Sequence, residues 1–175
     1  MDNTENQQIA LVDTEDNIIG YEDKNIVHQK GLLHRAFSVF IFNRKGEMLI
    51  QQRAKTKYHS PLLWTNACCS HLIKGSTMEK SLHKRLQFEM GFDTNVEYKF
   101  KFTYKIKFAN GLTEYETDHV YFGNWDGNII LNPEEATRCK WVNVSDLKND
   151  IKQNRHKYTY WFLYIMDNFD IIHNG

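Results

Sequence analysis

The sequence predicts an α/β chain, a mixed β-sheet sandwich flanked by helices. Three observations point there. Tyr98–Phe108 (YKFKFTYKIKF) alternates lysine or threonine with aromatic or aliphatic residues, the two-residue period of a half-buried strand. Ser76–Met90 carries Leu82, Leu86 and Met90 at four-residue spacing, a narrow apolar stripe on a helix. Several strand-like segments are joined by turn sequences, whereas a purely parallel sheet needs a crossover helix at each connection.

Taken in order, residues 1–8 (MDNTENQQ) offer nothing to bury and are expected to be disordered, which leaves 9–175 as one domain. Ile9–Val12 and Ile18–Gly20 flank DTEDN as a candidate hairpin. Ala36–Asn43 and Glu47–Arg53 are a stronger strand pair joined by NRKG, followed by a loop holding Pro61 and a short strand through TNACCSH. Ser76 with Glu79 fits a capping box for the helix, and Gly91 stands where a C-terminal glycine belongs. Asn110-Gly111 turns the chain into a strand over Leu112–Phe122, and WDGN turns it again. Ser145 is the expected cap of a short amphipathic helix, and Tyr158–Phe169 forms an aromatic-rich terminal one.

Composition sets limits. With 22 basic and 22 acidic side chains the formal net charge is zero, so neither a broad nucleic-acid surface nor an electrostatic membrane anchor is expected, and an anion needs a local basic cluster. No apolar run reaches the roughly 20 residues of a spanning helix. The polar start does not resemble a signal peptide. Three cysteines, two of them adjacent, make a poor disulfide framework and suit a reducing, cytoplasmic setting.

Four local patterns could carry chemistry. In an extended TNACCSH, Cys69 and His71 share a face, as a nucleophile and base, two metal ligands, or a reactive acid beside a ligand. A buried cysteine beside a surface histidine fits the same spacing. Glu114 and Glu116 also share a face, with Asp118 continuing it, either around a cation or proton or as an exposed acidic edge. His28 and His34, with His71 and these carboxylates, make a nitrogen-oxygen set suited to zinc or manganese. Lys24, Arg53, Lys57 and Arg85 could converge on a phosphate. His59, His83, His119, His156 and His173 have no such partners and are expected at the surface.

The order and spacing of GLLHRAFSVFIFN, LIQQRAKTK, LWTNACCSH and GLTEYE resemble the type 1 isopentenyl-diphosphate isomerases, a branch of the Nudix fold, from about Lys24 to Glu116. The resemblance implies interconversion of isopentenyl and dimethylallyl diphosphate, with Cys69 and Glu116 as the catalytic pair and Tyr104 supporting Glu116. It implies one Zn2+ or Mn2+ held by His28, His34, His71, Glu114 and Glu116, and one Mg2+ held by Glu89 at the diphosphate. Lys24, Arg53, Lys57 and Arg85 then contact the diphosphate, and Trp161 faces the apolar end. Trp161 follows Tyr160 and His71 precedes Leu72, where the family usually has proline. The implied partner is a small diphosphate, acted on by a monomer or weak homodimer. The alternative is a Nudix diphosphate hydrolase, but Ser81 stands at the first glutamate of that box, and in Lys84–Phe92 only Glu89 remains. Hydrolysis needs several carboxylates to hold metal and activate water.

Overall fold

The N-terminal hairpin forms as expected: β1 (Gln8–Val12) runs antiparallel to β2 (Ile18–Asp23), and the Asp13 carboxylate accepts from the Glu15 and Asn17 amides in the turn. The computed structural model describes residues 7–171. Of the stretch expected to be disordered, residues 1–6 lie outside that range, as does His173, while Gln8 is already paired with Asp23. An unanticipated helix, α1 (Lys24–Lys30), follows. Asp23 caps it by accepting from the Asn25 and Ile26 amides, and Gly31 ends it at φ 63°.

β3 (His34–Phe42) organises the sheet. One of its edges pairs in parallel with β8 (Thr113–Asn124), from His34↔Glu116 to Phe42↔Asn124. The other edge is divided. Leu11 of β1 meets it at His34, β6 (Cys68–His71) takes Ala36–Val39, and β4 (Met48–Arg53) touches only at Phe42↔Met48. The strand pair expected across NRKG therefore meets at one position, because β6 occupies the edge β4 would have used. β4 pairs instead with β5 (Trp64–Thr65) and with β9 (Ala136–Val142), a strand with little alternation in sequence. β7 (Val96–Lys107) flanks β8 antiparallel along its length.

The helix caps differ from expectation by one or two residues. α2 (Met78–Met90) is capped by Thr77, whose hydroxyl accepts from the Lys80 amide. That puts Lys80 at the third helical position, so the capping box read from Ser76 and Glu79 does not form. Gly91 closes α2 at φ 73° as expected, and Leu82, Leu86 and Met90 are buried. α3 (Val144–Asn154) is capped by Asn143, with Ser145 only donating to it. α4 (Tyr160–Asn168) completes the fold.

β3 is buried on both faces, and its alternation divides the core. Phe37, Val39 and Ile41 pack with Leu82, Leu86 and Met90 of α2. Phe40 and Phe42 pack with Phe102, Val120 and Phe122 beneath Leu147, Trp161 and Phe162 of α3 and α4. On that second face the strands change character halfway: Phe42, Phe40, Ser38, Ala36, His34 along β3, and Phe122, Val120, Asp118, Glu116, Glu114 along β8. The small Ala36 and Ser38 leave room above the sheet, and the polar half lines a cavity of about 510 Å³. Gly91 is the tightest backbone position bordering α2, since an added Cβ would stand 2.5 Å from the Ile130 carbonyl oxygen. Gly91→Ala is expected to destabilise the fold by more than about 1 kcal/mol in urea unfolding.

Candidate active site

Histidines from three separate elements meet one carboxylate. His28 comes from α1, His34 from the start of β3 and His71 from the end of β6, and their ring centroids lie 5.0 to 5.2 Å apart. Ligand atoms of these three residues and of Glu116 all lie within 4.8 Å of one another. His28 Nδ1 is 2.6 Å from the Lys24 carbonyl and His34 Nδ1 2.9 Å from the Leu32 carbonyl. A carbonyl only accepts, so each Nδ1 carries the proton and each Nε2 presents a lone pair. Both Nε2 atoms are buried without a hydrogen-bond partner; that of His34 is 3.3 Å from Glu116 Oε1 but not aligned with it. Oriented imidazole lone pairs beside a buried carboxylate fit a divalent cation.

Glu116 is buried. His71 Nε2 lies 3.0 Å from its Oε1, and Tyr104 Oη donates to its Oε2 at 2.7 Å. Burial pushes this carboxyl up, but His34 and His71 outweigh that and hold it well below the usual carboxylate range. Tyr104 Oη also lies 3.0 Å from Glu114 Oε2, so one hydroxyl bridges two buried carboxylates. Burial, then the charges of Glu114 and Glu116, keep the phenol protonated. Burial likewise drives the Cys69 thiol up; Arg53 opposes this, while Glu89, Glu116 and Asp118 reinforce it. Cys69 is thus a neutral thiol in the cavity wall, and Cys68 points the other way, into the α2 core. Asp118 accepts from Ser38 Oγ at 2.8 Å, and burial beside Glu116 raises it well above the carboxylate range.

The expected basic set does converge. Lys24, Arg53, Lys57 and Arg85 all line the cavity. Lys57 and Arg85 share Glu135, with Arg85 Nη2 2.6 Å from its Oε2, and Arg85 Nε donates to Glu89 at 2.6 Å. Burial, followed by the charges of Arg85 and Lys57, lowers Lys24 to about 8. Trp161 is buried with Arg53 5.2 Å over its ring. The other tryptophans lie elsewhere: Trp125 stacks on Phe92, Trp141 packs on the α2 core, and Trp64 sits under Lys140.

Several expectations change. β8 lies between β3 and β7, so Glu114 and Glu116 are interior and not an exposed edge. Glu114 stands outside the four-residue cluster, turned to Tyr104 and to His59 Nε2 at 3.0 Å. His59, expected at the surface, is therefore buried in the site. His119 and His83 are partly buried against Asp16 and Asp93; His156 is exposed. Glu135 and Gln51, which donates to Glu89 at 2.7 Å, had no local signal in sequence.

The NUDIX domain family matches residues 32–162. The isopentenyl-diphosphate Delta-isomerase of Serratia proteamaculans is 46% identical over 160 residues, which cover 91% of this chain and 89% of the relative. Isopentenyl-diphosphate Delta-isomerase 2 of Aromatoleum aromaticum is 42% identical, covering 91% and 85%. Among solved structures, DR0079 from Deinococcus radiodurans aligns with TM-score 0.77 at 15% identity over 93% of this chain and 99% of that one. No helix among the described residues is long and apolar enough to cross a membrane.

Burial dominates the two histidine shifts, lowering His28 to about 4 and His71 well below 6.5. Unfolded, both take up protons near 6.5 while the folded metal-free protein does not, so their stabilising contribution is complete above that pH and is lost as the pH falls. Melting of the metal-free protein is expected to drop steadily from pH 7 to 4.5, by roughly 1.4 kcal/mol per histidine per pH unit below 6.5. Mn2+ should raise the melting temperature at pH 7.

Proposed function

The chain belongs to the isopentenyl-diphosphate Delta-isomerases of the NUDIX family, and on that premise we propose that this cavity converts isopentenyl diphosphate to dimethylallyl diphosphate by a proton shift between Cys69 and Glu116. The observation that carries the reading is geometric: Cys69 and Glu116 line one cavity from strands on either side of β3. Isomerisation adds one proton at C4 and removes one from C2, so a donor and an acceptor must flank the substrate with a single proton between them. A neutral Cys69 and an ionised Glu116, on strands to either side of β3, meet that requirement.

The intermediate is a tertiary carbocation. Trp161 faces the cavity and would stabilise it by about 0.5 to 2 kcal/mol once water is excluded. Tyr104 holds the Glu116 carboxylate in place. Lys24, Arg53, Lys57 and Arg85 bind the diphosphate, with Glu135 holding Lys57 and Arg85 together. His28, His34, His71 and Glu116, joined by Glu114, would hold Zn2+ or Mn2+, and Glu89 would hold Mg2+ beside the diphosphate. Such cations supply Lewis acidity and neutralise the crowded carboxylates.

Hydrolysis fits less well. Ser81 stands where the box has its first glutamate and its hydroxyl donates to Ser76, so Glu89 is the one box carboxylate left to hold metal. The three cysteines are free thiols, which suits a reducing, cytoplasmic setting.

Incubation with isopentenyl diphosphate, Mg2+ and Mn2+ in deuterated water should yield deuterated dimethylallyl diphosphate by NMR. Inorganic phosphate without that product would instead mark a hydrolase. Cys69→Ala and Glu116→Gln should each lower turnover by at least about a hundredfold with unchanged circular dichroism; normal turnover in either would remove the pair from the mechanism. Lys24 is cationic below its pKa of about 8, so kcat/KM should fall as the pH rises through that value. In Lys24→Arg this limb should move to higher pH.

A further inference from the structure

His59 sits in the β4–β5 loop, where local sequence gave it no role, and three independent sets of contacts hold it in the cavity. Arg53 donates to the His59 and Ser60 carbonyls at 3.2 Å each, and Asn110 Nδ2 donates to the Tyr58 carbonyl at 2.9 Å. The ring stacks on Phe108 at 4.8 Å and 12°, and meets Trp161 edge-on at 5.7 Å and 83°. Its Nε2 lies 3.0 Å from Glu114 Oε1. Two non-glycine residues of the same loop, Ser60 and Leu62, have φ of 48° and 61°. Such strain persists where surrounding contacts over-determine a conformation.

We infer that His59 is a positioning residue, orienting Glu114 and, through Tyr104, the Glu116 carboxylate. The inference rests on the isomerase reading above. Nε2 stands against Glu114 Oε1 at ion-pair distance, so the clamped ring fixes where that carboxyl group points. Glu114 Oε2 and Glu116 Oε2 then share the Tyr104 hydroxyl, and Glu116 Oε1 faces the three histidines. His59 thus ends a buried chain of four side chains that reaches the cation cluster. Losing an outer partner of this kind typically costs about 10- to 100-fold in metal affinity or activity.

The test uses His59→Phe, which keeps a ring against Phe108 and Trp161 but removes the N–H, and His59→Gln, which restores a donor. In the full chain, His59→Phe should lower kcat and calorimetric Mn2+ affinity each by about 10- to 100-fold. KM for isopentenyl diphosphate should stay within about threefold, the split expected when substrate binding is untouched. His59→Gln should recover most of both losses. Wild-type kcat and Mn2+ affinity in a folded His59→Phe would overturn the inference, as would a folded His59→Gln no better than His59→Phe. A wild type that does not isomerise would overturn the reading beneath it, and the Mn2+ titrations would still decide whether His59 orients the carboxylates.

Discussion

The parallel ladder between β3 and β8 holds His34 opposite Glu116, and the site follows from that pairing. A ladder fixes register to the residue, and a slip of one position would turn both carboxylates toward the opposite face. With β8 locked on one edge, β6 on the other edge puts His71 opposite Ala36 and Cys69 opposite Ser38. α1 then needs only to cover the end of the strands to bring His28 into the cluster. No residue of the cluster is exposed, and the Nε2 atoms of His28 and His34 stay without a hydrogen-bond partner inside it.

The same ladder explains why a cavity exists. The aromatic half of the inner face packs against α3 and α4, while the polar half cannot, since packing hydrocarbon onto ionised carboxylates would leave them unsolvated. Ala36 and Ser38 fill too little volume to close the gap. The result is a pocket lined by basic side chains, by Cys69 and Glu116, and by the Trp161 ring with Arg53 over it. Such an interior favours moving a proton within one substrate over delivering water to a diphosphate, and the loss of acids along α2 points the same way. Of the Nudix box glutamates Glu89 alone remains.

Charge neutrality over the whole chain conceals strong local organisation. Four cations from α1, β4, the β4–β5 loop and α2 gather in one cavity, where Glu135 links Lys57 and Arg85 and Glu89 pairs with Arg85 as well. Mutual repulsion and burial lower Lys24 to about 8, so binding of a polyanion would be coupled to its protonation near neutral pH.

Local pattern determined much of this in advance. Alternation marked β7, the Asn110-Gly111 turn marked the start of β8, four-residue spacing marked the buried face of α2, and Gly91 marked its end; the motif resemblance singled out Cys69, Glu116, Trp161 and the basic residues that line the cavity. Finer local chemistry misled at the caps, where Thr77 and Asn143 displaced Ser76 and Ser145 because neighbouring hydroxyl and amide side chains compete for the same amides. Tertiary structure decided the rest. Periodicity reports that one face of a strand is buried but not which strand lies beside it, so the divided edge of β3 and the weakly patterned β9 were invisible. Glu114 and Glu116 read equally well as an exposed edge until β3 and β7 enclosed them. His59 and Glu135 act through partners 55 and 50 to 78 residues away in the chain, Glu114 for the first and Arg85 and Lys57 for the second, and no local signal reports a contact made only when distant strands close together.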